Sequence, residues 1–431
     1  MRDRRWPLIL AGLVLLLGLG VAPRVFHHYD IVDCFLPWSR ASEGARPWDV
    51  YTPGAGADDC DYPPLVPYLL TAAEAGRRAV GAEEVSPLSI TLVKLAGLLA
   101  QAGLVTLALL GLRRPLGPKA ARLVAILLAV SPALFVNGAL WGQFDVLLTL
   151  PLLAAVVALL HDRPVAAGAL AGVALGTKLL TVVALPLLAA WIWRRHGLGP
   201  LLRASAAGAA VIALLALPHV LGGRGPAVLK AYTGAVSYYP YRSVEAYNGW
   251  YVLDRYDMRV RGIPGPVARR DDRPVVGWIT YRHLGLAAFS LFTLLIVLAL
   301  LHRPEPRTLV WALALLFFGF FMLPTEIHER YIVPAAVFVA LLAPLSRRGA
   351  WIFAGVTLTA TVNQGIGLVR ALPWREIVAG ALTTADLALA TPTARDIGAI
   401  VGLLNVALFA FAAHGFWREV FPPPSAPSES R

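Results

Sequence analysis

The chain has 431 residues, of which 58% are hydrophobic and 15% charged, and a formal net charge of +12 at pH 7. That hydrophobic share lies outside the range of soluble globular domains and excludes a water-soluble enzyme. In so apolar a chain the positive balance follows from topology and contact with anionic lipid, and it excludes nucleic acid as the partner.

A hydrocarbon core of about 30 Å takes roughly 17–25 apolar residues as helix. Twelve apolar runs lie along the chain, near 6–26, 88–112, 121–141, 144–160, 165–177, 179–193, 204–221, 283–301, 308–324, 331–345, 350–369 and 397–416. An open strand cannot satisfy its backbone in lipid, so the runs are expected as helices. Their Ala, Leu and Val content does not alternate as an outer-membrane barrel would. The expected fold class is all-α: a polytopic integral membrane protein with about 12 transmembrane helices. One membrane domain over 1–421 and a Pro/Ser-rich, disordered tail over 422–431 complete the expected organisation.

Arg2, Arg4 and Arg5 precede the first run, but Ala22-Pro23-Arg24 offers no small-x-small cleavage site, so an uncleaved first helix is expected. The short loops at Arg113-Arg114, Arg194-Arg195 and Arg347-Arg348 belong inside by the positive-inside rule, which puts both termini inside. The long segments 27–87, 222–282 and 370–396 then face outward, and any chemistry belongs there.

The first outer segment opens with Tyr29-Asp30-Ile31-Val32-Asp33-Cys34, passes Trp38, and closes on Cys60-Asp61-Tyr62-Pro63-Pro64-Leu65. Carboxylates beside a bilayer are costly and tend to be kept for chemistry. Cys34 and Cys60 share this segment; outside the cytosol they could form a disulfide, or they could be two unlinked thiols, since shared position is not proximity. From Pro63 to Val80, the apolar Leu65, Val66, Leu69, Leu70 and Ala73 precede Arg77-Arg78, which suits a helix lying along the interface. Asp58, Asp59 and Asp61 offer oxygen ligands, yet their spacing matches no calcium loop, and no histidine pair has zinc-ligand spacing. No metal or cofactor is firmly implied.

Further along, Asn137-Gly138-Ala139-Leu140-Trp141-Gly142-Gln143-Phe144-Asp145 gathers hydrogen-bonding groups at the outer end of the third run. Trp141 could simply be an interfacial anchor. The runs 165–177 and 179–193 are short for crossing, and Lys178 sits at their junction, as in a re-entrant pair; a snorkelling lysine is the plainer alternative. The segment 222–282 is rich in tyrosine, and Asn248 and Tyr251 are candidates to meet an acceptor. Arg255, Arg259, Arg261, Arg269, Arg270 and Arg273 make the remainder of it basic, suited to lipid phosphate or an anionic glycan. Pro324-Thr325-Glu326-Ile327-His328-Glu329-Arg330-Tyr331 forms the turn before the tenth run.

Taken in order, Asp-x7-Trp, Asp-Tyr-Pro-Pro-Leu, Asn-Gly-Ala-Leu-Trp-Gly-Gln-Phe-Asp, Gly-Thr-Lys and His-Glu-Arg-Tyr-x2-Pro resemble the polyprenyl-phosphate-sugar-dependent GT-C glycosyltransferases. The similarity runs from about residue 28 to 345 and is closest to the bacterial relatives of the second GPI mannosyltransferase. The resemblance implies an enzyme of the bacterial cytoplasmic membrane that moves a sugar, mannose as first guess, from a polyprenyl-phosphate carrier to a lipid-linked or polymeric glycan. It implies an active site on the non-cytosolic face, with membrane lipids as further partners and a catalytic Asp near the end of the first helix. That position matches Asp30; Asp33, three residues on, would share its face on a helical turn and is not excluded.

Elementary chemistry points the same way. A sugar hydroxyl is a poor nucleophile until a base accepts its proton, and a departing lipid phosphate gains charge that cations must meet. Lys178, His328 and Arg330 are the candidate cations, with Glu329 beside them. Asp61, Tyr62, Trp141, Gln143 and Asp145 are candidates to orient sugar and acceptor. A single in-line displacement inverts the anomeric carbon. A transporter or flippase of a lipid-linked sugar could use the same cations and aromatics, and is the alternative.

Overall fold

The computed structural model describes residues 5–234, 238–371 and 392–422. Arg2, Arg4, most of the third outer segment and residues 423–431 of the expected tail lie outside the described residues.

Every apolar run has become helix. The first is α1 (Arg5–Val21). Across the first outer segment come α2 (Leu65–Ala79) and α3 (Pro87–Gly111), the latter capped by the Ser86 hydroxyl, which accepts from the Ser89 N–H. The third run is broken: α4 (Pro118–Ala129) is followed, at an angle of 47°, by the helical segment Pro132–Trp141. Pro132 lacks the N–H that would continue the ladder, so the kink falls there. Next are α5 (Asp145–Leu160), α6 (Pro164–Thr177), α7 (Leu185–His196) and α8 (Leu198–Leu221). The segment 222–282 holds α9 (Gly225–Thr233), α10 (Gly249–Arg259) and a small antiparallel hairpin, β1 (Pro274–Val276) with β2 (Ile279–Thr280). The chain continues through α11 (Tyr281–His302), α12 (Pro306–Met322), α13 (Val333–Leu342), α14 (Arg347–Ala371) and α15 (Pro392–Val420).

Among the described residues, five helices are long and apolar enough to cross a membrane alone, six if the bent pair is one span, and four shorter apolar helices accompany them. The twelve runs persist as helical segments, of which five or six have the length and hydropathy of a full span by themselves. Their environments differ sharply. The spanning windows of α8 and α11 are 11% and 22% buried, against 56% for α3. The first two turn apolar side chains to lipid, while α12 and α13 are buried on nearly every face in the main core, where Phe317 stacks on Phe338.

Small residues allow the tightest crossing. A Cβ on Gly168 of α6 would lie 2.0 Å from the Ala204 carbonyl oxygen of α8, and one on Gly172 would lie 2.6 Å from that of Gly208. Gly168 and Gly172 are four apart, as are Ala204 and Gly208, the spacing that lets two membrane helices approach backbone to backbone. That contact holds α6 in place up to Thr177, where the helix stops and Lys178 takes an extended conformation (φ −158°, ψ 137°). A 3-10 turn over Leu179–Ala184 leads into α7, so the expected break at Lys178 is present.

Candidate active site

The segment 27–87 wraps a small core of its own, with Ile31, Phe35, Trp38, Tyr51, Tyr62, Val66 and Phe144 packed together. Cys34 and Cys60 are both buried in it and both free, so the disulfide weighed from the sequence is not formed in this structure. The Trp38 indole N–H donates to the Asp58 carbonyl (2.8 Å), and the Tyr51 hydroxyl to the Tyr62 carbonyl (2.7 Å), closing the two ends of the segment without a covalent link.

Asp30 and Asp33 part company here. Residues Tyr29–Phe35 form a π-helical turn rather than an α-helical one. Its i→i+5 bonding takes an extra residue per turn, so positions three apart no longer share a face. The Asp30 side chain, 15% exposed, turns inward; Asp33, 40% exposed, turns to His28 at 3.5 Å. Asp30 Oδ2 accepts from the Trp141 indole N–H (2.7 Å) and from the Gln143 amide. The Gln143 carbonyl in turn accepts from the Tyr62 hydroxyl (2.9 Å), which sets the orientation of the amide. His27 stacks on Trp141, with ring centroids 4.6 Å apart, and lies 3.5 Å from the Asp30 carboxylate. The His27 imidazole is held below its usual pKa, first by burial, while the Asp30 charge opposes the shift.

Gly142 makes this cradle possible. Its φ of +95° lies in the left-handed region, and a Cβ there would sit 2.7 Å from Ile31 and 2.9 Å from Lys94. The Lys94 ammonium donates to the carbonyls of Ala22, Val25, Ala139 and Leu140, at 2.7–2.9 Å, and so joins the end of α1 to the π turn that carries Trp141. A lysine in the middle of an apolar run was the available signal for this fastener, and the sequence reading gave it no role.

A second hydrogen-bonded unit lies alongside. Asp145 starts α5 and is fully buried; Lys178 Nζ donates to its Oδ1 at 2.6 Å. Asn137 donates to its Oδ2 at 3.3 Å and to Gln364 of α14 at 3.0 Å. Gln364 was also missed, although the adjacent amides Asn363-Gln364 inside an apolar run are unusual enough to have marked it. Lys178 is thus ion-paired rather than free. Its Nζ lies 5.7 Å from the centre of the Tyr62 ring and 5.2 Å from that of Tyr331.

The turn His328-Glu329-Arg330 completes the arrangement. Arg330 Nη1 donates to Glu329 (3.1 Å), its guanidinium lies 5.8 Å from the same Tyr331 ring, and its buried Nε has no partner. Burial would raise the pKa of Glu329, but His328 and Arg330 outweigh it and hold the carboxylate at about 2. His328 is pushed below its usual value, chiefly by burial and then by Arg330. The exposed Asp61 lies within the fields of both Lys178 and Arg330, and the Asp30 charge reaches Arg330. Asp30, Asp61, Tyr62, Trp141, Gln143, Asp145, Lys178, His328, Glu329 and Arg330 therefore form one neighbourhood.

Asn248 and Tyr251 lie elsewhere. Asn248 is buried as the N-cap of α10, where its side-chain oxygen accepts from the Trp250 and Tyr251 N–H groups and its amide donates to the Phe321 carbonyl. Tyr251 packs on Tyr247 and lines a separate cavity. Among the described residues no group of three or more His, Cys, Asp or Glu side chains is arranged to hold a metal ion.

Comparison with known proteins follows the same outline. In overall fold the chain is similar to ArnT from Cupriavidus metallidurans bound to undecaprenyl phosphate, at a TM-score of 0.52 and 16% identity, over 96% of this chain and 77% of that one. The same protein in the apo state gives a TM-score of 0.52 and 16% identity over 97% and 78%. The Archaeoglobus fulgidus oligosaccharyltransferase in the apo form is more distant, with a TM-score of 0.43 and 15% identity over 97% and 58%. No curated protein matches by sequence. The family model of glycosyltransferase family 87 matches residues 62–325, more than half the chain. The chain therefore belongs to glycosyltransferase family 87 and is an integral membrane glycosyltransferase of the GT-C type.

Proposed function

We propose that the protein transfers one sugar, with mannose the first candidate, from a polyprenyl-phosphate carrier to a hydroxyl of a lipid-linked or polymeric glycan on the non-cytosolic face. The observation that carries this reading is the Asp30 carboxylate. Two donors, Trp141 and Gln143, both bond its Oδ2, which leaves the lone pairs of Oδ1 for an incoming hydroxyl. Fixed dipoles of this kind cost no reorganisation during reaction.

In the proposed step the acceptor oxygen attacks the anomeric carbon as Asp30 takes its proton. The bond from that carbon to the phosphate oxygen breaks, the electron pair leaves with the lipid phosphate, and the configuration inverts. Arg330 is suited to receive the phosphate, since its Nε has no protein partner and a guanidinium binds phosphate in a forked fashion. The His328 imidazole and the Lys178 ammonium, the latter paired with Asp145, add donors nearby. The undecaprenyl phosphate bound to the similarly folded ArnT supports a polyprenyl-phosphate carrier. Family membership removes the ground for reading the chain as a transporter.

The test supplies radiolabelled polyprenyl-phosphate sugars and candidate glycolipid acceptors to the purified protein. Transfer is expected with wild type and a loss of at least about a hundredfold with Asp30→Asn, because a positioned base contributes typically 10²–10⁴-fold. Asp33→Asn is expected to retain most of it. Unchanged transfer in Asp30→Asn would remove that residue from the chemistry.

A further inference from the structure

The hairpin β1–β2 carries Pro274-Val275-Val276-Gly277-Trp278 at its tip, five residues without a charge and all exposed, Val276 by 71% and Trp278 by 79%. An exposed apolar run of that length is a liability unless something covers it. The tip is a built turn. Gly277, at φ +54°, supplies the left-handed residue that the tight reversal needs, and across it Pro274 pairs with Thr280 and Val276 with Ile279.

Its place beside a spanning helix says what covers it. β2 runs into α11 without a linker, because Thr280 both ends the strand and caps the helix. The Thr280 hydroxyl accepts from the His283 N–H, and the Thr280 N–H donates to His283 Nδ1 at 3.2 Å, a reciprocal cap that fixes the angle between hairpin and helix. The Trp278 ring meets that of His283 edge-on, with centroids 5.5 Å apart, so the tip folds back against the first turn of α11. Below His283, at helical spacing, come Ala287, Leu291, Leu294 and Leu298, and all four are exposed. The spanning window of α11 is only 22% buried, so this stripe faces lipid. Trp278 therefore stands at the top of a lipid-facing stripe, and its apolar neighbours continue it. Charges keep clear of the tip: Arg270 pairs with Asp272, and Arg273 turns back to the Val267 and Ala268 carbonyls.

We propose that the hairpin is a lipid anchor, with Val275, Val276 and Trp278 entering the leaflet at the N-terminal end of α11, where headgroups meet acyl chains. Tryptophan suits that boundary, since its ring is apolar and its N–H finds a partner among the headgroups. The anchor bears on the candidate active site through Asp271, which lies three residues before β1 and is fully buried. Asp271 accepts from Arg282 of α11 at 2.9 Å and 3.1 Å and from the Thr325 hydroxyl at 2.8 Å, and Thr325 stands three residues before His328. The anchored hairpin thus sets the height of the His328–Arg330 turn over the bilayer. A second copy of this chain is the competing occupant; the continuity with the lipid-facing stripe favours lipid. The inference does not depend on the transfer reading.

The test labels Val276→Cys in the full-length protein with the environment-sensitive fluorophore NBD and places it in phosphatidylcholine nanodiscs. Wild type, whose two cysteines are both buried, gives the labelling background. Two quenchers are compared at that one position: phosphatidylcholine spin-labelled near the top of its acyl chain, and aqueous iodide. The expected result is emission to the blue of the same label in denatured protein, with a loss to the spin-labelled lipid at least equal to the loss to iodide. Loss to iodide with little or none to the lipid would put the hairpin in water and overturn the proposal. Protection from both quenchers would overturn it as well, because protein would then cover the tip. A second copy would be that protein if nanodiscs holding a single chain restored quenching by iodide. Should Val276→Cys not fold, Trp278→Cys is read in the same way.

Discussion

At the scale of single residues, partners decide which charges are available for chemistry. Asp30 and Asp33 are equivalent as sequence, three apart in one acidic turn, and only the π-helical geometry of Tyr29–Phe35 turns one toward Trp141 and Gln143 and the other toward solvent. Lys178 has a similar history: a lone lysine between two apolar runs marks a special position, but nothing in the chain says that Asp145 neutralises it. Removing one partner of a buried pair strands the other charge. Lys178→Met is therefore expected to destabilise the protein by about 3–5 kcal/mol, and Lys178→Met/Asp145→Asn by clearly less. Melting in detergent measures both. Equal losses in the single and double variants would show that the pair is not what Lys178 contributes.

At the scale of elements, glycine spacing sets where Lys178 stands. The α6–α8 crossing brings Gly168 against the Ala204 backbone and Gly172 against Gly208, with no room for a methyl group at either. The four-residue spacing was visible in the chain, yet small residues are frequent in apolar helices and do not reveal which helix they face. Gly168→Leu is expected to force α6 away from α8, cost at least the roughly 1–3 kcal/mol of an overpacked core, and carry Lys178 away from Asp145. Lower thermal stability together with reduced transfer is the predicted outcome. A variant with normal stability would show that the crossing is looser than the structure has it. Gly225→Leu, at the start of α9, meets only Val220 side-chain atoms at 3.7 Å and 3.8 Å and serves as the control.

At the scale of the whole molecule, buried imidazoles link stability to pH. An unfolded histidine takes up a proton near pH 6.5, whereas His27 and His328 in the folded protein do so only at lower pH. Below pH 6.5 the unfolded state binds more protons than the folded one, so stability falls as pH falls and does not depend on these groups above that value. Glu329 acts further down: its folded pKa of about 2 lies below the unfolded value, so its contribution is full above about pH 4.5 and lost toward pH 2. Melting temperatures from pH 8 to 5 should decline on the acid side, with a shallower decline in His328→Gln. An identical slope in that variant would argue against a buried neutral imidazole at 328. Hydropathy alone determined that this chain is an all-helical membrane protein, because backbone groups in lipid have no other way to be satisfied. Its motifs also marked Asp30, the Trp141–Asp145 stretch, Lys178 and the His328–Arg330 turn. Tertiary structure decided the rest: which acidic residue faces inward, which lysine is neutralised and that Arg330 keeps an Nε donor without a protein partner. Those outcomes depend on the bend at Pro132, the break at Lys178 and the close passage of Gly367 beside Trp141 and Glu329. They bring together side chains more than a hundred residues apart, and no local pattern encodes that distance.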